Sequence, residues 1–148
     1  MILLDANLLL YAYNPSFPQH RQARTWFEHV LSTPNPVGLS WTTMLAFLRI
    51  GTHPRAFPEP LTTEEAIRIV SAWLAHPTIV VLGPGERHWE ILKTLLQEAR
   101  ARGAQVADAH LAALSIEHGA VLCTTDRDFA VFPGLRAMNP LEESGGER

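Results

Sequence analysis

MILLDANLLLYAY, residues 1–13, opens the chain with a short apolar run, a single aspartate and a second apolar stretch at helical spacing. Met1 to Leu4 is the length of a buried strand, Asp5 ends it, and Asn7 to Tyr13 carries the pattern of a helix. Strand, acid, helix is the first half of an α/β unit, and it leaves the carboxylate at the strand's carboxyl end. Asp5 and Asn7 interrupt the apolar run and no basic leader stands before it, so neither a signal peptide nor a membrane span is expected here.

The same alternation continues outward. His20 to Leu31 places Ala23, Trp26, Phe27, Val30 and Leu31 on one helical face. A brief strand at Val37 to Leu39 runs into Ser40, an N-cap candidate for a helix that reaches Ile50 and stops at Gly51 before Pro54. Thr62 or Thr63, with Glu64 and Glu65 behind it, begins a helix that turns Ile67, Ile69, Val70, Trp73 and Leu74 inward. Thr78 to Leu82 reads as a fully apolar strand. Gly83, Pro84 and Gly85 turn the chain into a long helix to Arg102, with Trp89, Ile91, Leu92, Leu95 and Leu96 as its stripe and Gly103 as its cap. Asp108 to Glu117 is an Ala-rich helix, and Ala120 to Cys123 a strand that delivers TTDRDF. A last short strand is expected near Leu135 to Met138.

Strands alternating with helices predict an α/β fold, a parallel sheet covered on both faces. In such sheets a ligand site lies outside the carboxyl ends of the strands. Residues 1–141 are read as one domain, and the polar, Gly-rich stretch 142–148 (EESGGER) as a flexible tail.

Composition narrows the function. A chain of 148 residues, 47% hydrophobic and 18% charged, can bury a core without staples. Its one cysteine, Cys123, has no partner for a disulfide or a thiolate zinc site, which suits a reducing, cytoplasmic setting. A net charge of −3 lacks the basic footprint of a protein that holds nucleic acid by its phosphates alone, so any such contact must be local. Eleven of the twelve basic residues are arginine, a bias that genomic base composition explains as readily as phosphate binding. Neither GxGxxG nor a Walker-type GxxxxGK occurs, so no nucleotide cofactor is expected, and the seven histidines show no HExxH spacing.

The acids carry the chemistry. There are four aspartates, Asp5, Asp108, Asp126 and Asp128, against eleven glutamates scattered over helix surfaces. Asp5 follows the first strand, Asp126 and Asp128 follow the strand ending at Cys123, and Asp108 opens an apolar helix. All can reach one sheet edge. Carboxylates crowded in this way repel unless a cation neutralises them, and oxygen ligands without histidine or cysteine favour Mg²⁺ or Mn²⁺. A water on such an ion can attack a phosphodiester while the ion stabilises phosphoryl charge. Taken alone, Asp5 or Asp126 is more often a helix N-cap than a ligand. Asp128 can cap, pair with Arg127 or Arg136, or support a second metal. Asp108 is the strongest single candidate, because an acid on so apolar a helix needs a partner. His110, two residues on, faces another side of the helix and is expected to pack. The four tryptophans are expected in the core or a subunit interface, and Arg49 to touch phosphate or pair with a site aspartate.

These blocks resemble the PIN-domain toxins of bacterial toxin–antitoxin pairs, the family usually called VapC. LLDANLLLYA, FLRIGTHPRAF, VADAHLAALSIEHGA and TTDRDFAVFPGLRAMNPL follow the family's order nearly end to end. The resemblance implies a three-layer α/β/α sandwich, Mg²⁺-dependent endoribonuclease activity on RNA, a homodimer, and inhibition by a cognate antitoxin whose tail enters the site. It makes Asp5 and Asp108 the principal metal ligands, Asp126 the acid that completes the metal site, and Asp128 an auxiliary acid. One departure stands out: where the family commonly has a glutamate just before FLR, this chain has Ala46. Thr124 and Thr125 cannot replace that charge, though a hydroxyl can orient water or phosphate.

Three readings follow. The first is a ribonuclease toxin. The second, motivated by Ala46, is a catalytically weak or silent PIN module that binds RNA or a protein. The third is a phosphatase or phosphoryl-receiver domain with Asp5 as nucleophile, and it ranks last because the sole lysine, Lys93, lies mid-helix.

Overall fold

The computed structural model describes residues 1–142, so the expected tail falls outside it except for Glu142. The chain runs β1 (Ile2–Leu4), α1 (Ala6–Tyr13), α2 (His20–Leu31), β2 (Val37–Leu39), α3 (Trp41–Gly51), α4 (Thr63–Ala75), β3 (Ile79–Val81), α5 (His88–Ala99), α6 (Ala104–Glu117), β4 (Val121–Cys123), a 3₁₀ turn (Arg127–Val131) and β5 (Ala137–Met138). The five strands form one sheet in the order β3-β2-β1-β4-β5, parallel throughout.

Side chains on a strand alternate between faces, and the strands use this to serve two cores. Leu4 of β1, Val37 and Leu39 of β2 and Cys123 of β4 point into a cluster with Leu8, Leu9, Phe27, Phe47 and Trp73 from α1 to α4. Leu3 and Leu122 point the other way, to Leu95, Leu111, Leu114 and Phe129 from α5, α6 and the 3₁₀ turn. The result is the expected α/β/α sandwich. Gly38 lies where β2 meets Leu82: a Cβ there would stand 2.7 Å from Leu82 Cδ1 and 3.1 Å from the Ile2 carbonyl oxygen.

Capping chemistry sets two helix starts where it was expected. Ser40 Oγ accepts from Thr43 N, and Thr62 and Glu65 form a reciprocal capping box. Several expectations fail, the inward placement of Ile67 and Leu74 on α4 among them, since these are 54% and 44% exposed. The α5 helix stops at Ala99 rather than Arg102, because Arg100 adopts a left-handed conformation (φ 50°) from which the amides of Arg100 and Ala101 bond back to Gln97 and Leu96. Gly103, with φ 62°, therefore begins the next helix instead of ending this one. That helix, α6, starts at Ala104, so Asp108 lies in its second turn and is no cap. Trp89 is 60% exposed, since α5 is rotated to turn His88 inward, and β3 is an edge strand whose Val80 and Val81 are 42% and 40% exposed rather than a buried one.

Candidate active site

Strand order decides where a site can form. From β1 the chain steps outward to β2 and β3, then returns to place β4 on the other side of β1, so the direction of winding reverses between β1 and β4. Crossovers leave in opposite directions there, and the carboxyl ends of the two strands border a crevice. Asp5 stands at the end of β1 and Thr124 to Asp126 at the end of β4, tied by a bond from Asp5 N to the Cys123 carbonyl at 3.0 Å.

A threonine hydroxyl organises this edge. Thr124, 4% exposed, donates to Asp5 Oδ2 at 2.7 Å and accepts from Asp126 N at 3.0 Å and from Asn7 Nδ2 at 3.4 Å. One donor and two lone pairs are all a hydroxyl has, so its capacity is filled. The other Asp5 oxygen accepts from Ala6 N at 2.8 Å and caps α1, while Asp126 Oδ1 accepts from Asp128 N at 2.9 Å and caps the 3₁₀ turn. Both aspartates thus serve as N-caps, and this also fixes their positions. Asn7 Oδ1 is buried with no partner among the described residues.

Electrostatics bind the four aspartates into one group. Burial pushes the Asp5 carboxyl above its ordinary pKa, and the Asp126 charge adds to this against the bonds from Thr124 and Ala6. Asp108 is pushed up by burial and then by the charges of Asp126, Asp5 and Asp128. It makes no hydrogen bond or ion pair among the described residues. Among those residues no three acids, histidines or cysteines converge on a single point. The donor set is all oxygen, the mutual repulsion is unrelieved, and Asn7 Oδ1 is an orphaned acceptor, all of which suit a hard divalent cation.

Other candidates part company with the site. His110 turns away from the aspartates, its Nδ1 3.0 Å from His88 Nε2 on α5. Arg49 lies in the last turn of α3, eight residues beyond Trp41 and hence about 12 Å along the helix from the sheet edge; it lines a concavity with His53 and Arg55 and pairs with no aspartate among the described residues. Asp128 pairs with neither Arg127, which faces Glu142, nor Arg136, which donates to the Gly119 carbonyl. Trp73 is buried and bonds to Tyr13 Oη, Trp26 is half-buried, and Trp41 joins Trp89 at the surface. Cys123 is buried, its thiol pushed up to about 12, and is inert as a nucleophile. Sequence reasoning passed over Asn7 and the hub role of Thr124. The available signal was a polar side chain two residues after the strand-end acid in one case, and a hydroxyl directly at a strand end in the other.

Comparison with known proteins agrees with this architecture. The PIN domain model matches residues 2–135. Ribonuclease VapC37 of Mycobacterium tuberculosis is 41% identical over 140 residues, covering 95% of this chain and 97% of that protein. Among solved structures, VapBC2 from Rickettsia felis bound to a promoter DNA fragment superposes with a TM-score of 0.68 at 20% identity, covering 94% of this chain and 98% of that one. VapC20 of Mycobacterium tuberculosis, a sarcin-ricin loop cleaving toxin, gives 0.67 at 17% identity over 92% and 99% of the two chains. These two structures speak for the fold alone. With strand order, edge aspartates and a relative matched nearly end to end, the chain belongs to the PIN-domain family, among the VapC ribonucleases.

Proposed function

We propose that the protein is a metal-dependent endoribonuclease and the toxin of a toxin–antitoxin pair, with Asp5, Asp108 and Asp126 holding Mg²⁺, or Mn²⁺ in its place, and Asp128 assisting. The observation that carries this is Asp108, a partly buried carboxylate pushed up by burial and then by the charges of Asp126, Asp5 and Asp128, with no donor among the described residues to relieve it. When bound, the cation supplies charge neutralisation among the carboxylates and Lewis-acid stabilisation of the phosphoryl group. The chain's own residues do the rest. Thr124 holds Asp5 in one orientation by occupying Oδ2, and the same hydroxyl anchors the amide of Asp126, so the two acids keep a fixed relation. Hydrolysis then forms a bond from an in-line water to phosphorus as the bridging P–O bond breaks, the water giving up a proton and the departing oxygen taking one up, with no covalent enzyme intermediate.

Purified protein freed of any partner is incubated with total RNA in magnesium, manganese or chelator, beside the Asp108→Asn variant. Cleavage that needs the metal and disappears in the variant is expected; cleavage that persists in chelator or in the variant overturns the reading.

A second reading, a silent module that binds RNA or protein, draws on Ala46 and on the lack of three converging ligands among the described residues. Ala46→Glu separates the two: tighter magnesium binding by calorimetry together with the appearance of cleavage in a previously silent chain favours it. The toxin reading also entails a cognate antitoxin, cytoplasmic residence and a homodimer. For the dimer, the supporting feature is the exposed apolar side chains of the edge strand and of two helices, Val80 and Val81 on β3, Ile67 and Leu74 on α4 and Trp41 and Leu45 on α3. A solution mass twice the 16.5 kDa of one chain is expected. No described helix is long and apolar enough to cross a membrane.

A further inference from the structure

We propose that the concavity on the β5 side of the aspartates is a subsite for one base of the RNA, that of a nucleotide beside the phosphate that is cut. The proposal rests on the ribonuclease reading and names part of what its substrate must present. The cavity holds about 300 Å³, and Asp126 belongs to both its wall and the carboxylate group, so the two are continuous. Its floor is apolar: Ala130 and Ala137 lie beside Met138, which is 46% exposed on the edge strand β5. An apolar floor of this kind accepts the flat face of a base.

Its rim carries donors. Asn139 Oδ1 is occupied by Leu141 N at 2.9 Å, and the two N–H groups of its amide have no acceptor among the described residues. Arg127 has a side chain 92% exposed, and its one ion pair among the described residues, to Glu142, spans 3.7 Å, a distance that holds it loosely. Donors above an apolar floor select a base edge rich in acceptors, and guanine, with O6 and N7 side by side, is the best match for an arginine fork. Phosphate is the poorer occupant, since the Asp126 and Glu142 carboxylates stand at the same rim. The cavity lined by Leu10, Tyr13, Phe47 and Phe57, about 340 Å³, contains none of the aspartates and is not continuous with them.

Two measurements on the full, partner-free chain test this. First, the four nucleoside 5′-monophosphates are titrated in chelator while the Met138 methyl and the Asn139 side-chain amide are followed by NMR. Saturable shifts at both, strongest with the guanine nucleotide, are expected. Second, a randomised single-stranded RNA is cut in magnesium and the ends sequenced for the wild type and for Arg127→Gln, Asn139→Ala and Met138→Ala. The wild type should prefer one base at one position beside the cut, and each variant should weaken that preference by about tenfold. Unmoved resonances with all four nucleotides, or a preference identical in all three variants, overturn the subsite while leaving the nuclease standing. Failure of the wild type to cut any RNA with metal removes both.

Discussion

The two ends of α6 carry one acid each, and the fold treats them in opposite ways. Glu117, in the last turn, accepts from Gly85 N at 2.7 Å through one oxygen and from Arg87 N at 2.9 Å through the other. The Gly85 bond is foremost in holding its carboxyl below the ordinary pKa; burial opposes this, and the Arg87 bond and the charges of His88 and His118 add to it. Asp108, in the second turn, meets burial and three like charges, and its carboxyl is pushed up. The difference teaches what separates a fastener from a site. An acid supplied with donors by its own chain is complete and clasps α5 to α6, whereas an acid turned toward other acids is complete only when a cation arrives.

The sharpest break of this comparison is at Asp108. Asp108→Asn, and likewise Asp5→Asn, should lower metal-dependent RNA cleavage by about 10²-fold or more, because even supporting groups of metal sites cost 10–100-fold. Melting in chelator should show no loss of stability, since a repelled charge has been removed; a lower Tm would make Asp108 structural like Glu117. Thr124→Val comes next. It strips partners from Asp5, Asp126 N and Asn7 at once, so cleavage should fall by about 10–100-fold and stability by about 1–3 kcal/mol, read from denaturant unfolding. Glu117→Gln inverts the pattern, lowering Tm by several degrees while leaving specific activity at 25 °C unchanged.

Titration separates the two ends without mutation. Asp5 and Asp108 have folded pKa values above their unfolded ones, so in metal-free protein their contribution is present below the unfolded values and is lost as pH rises through the folded ones. Glu117, with its folded value lowered, contributes stability above its unfolded pKa that is lost as pH falls through the folded one. Unfolding followed against pH in chelator should therefore show a smaller acid-favoring slope in Asp108→Asn, with Asp5 supplying what is left, and a smaller base-favoring slope in Glu117→Gln, and magnesium should diminish only the first. The smallest effect is expected from Gly85→Ala. A Cβ there would lie 2.7 Å from Glu117 Oε2, but the far end of a flexible side chain can shift, so a slight drop in Tm is the expected readout.

Much of this was legible because the signals are local. The strands β1, β2 and β4 are short apolar runs, the caps at Ser40 and Thr62 act within one turn, and the scarcity of aspartate picks out Asp5, Asp108, Asp126 and Asp128 before any fold is known. Where helices α5 and α6 meet, local signals misled. Gly103 looked like a C-cap and Asp108 like a helix start, yet packing of α5 on α6 put the left-handed turn at Arg100, turned His88 inward and left Trp89 outside. An edge strand and a central one share the same apolar spelling, so the exposure of Val80 and Val81 could not be read from them. By itself the sequence determined the alternation of strands and helices and which residue types could do chemistry, since these depend on neighbours a few positions apart. Only the tertiary structure decided that Thr124 would hold Asp5 from 119 positions away, and that Glu117 would be satisfied by the loop before α5 while Asp108 was not. Both outcomes depend on which backbone donors the strand order brings within hydrogen-bond reach, a property of the assembled sheet that no local pattern carries.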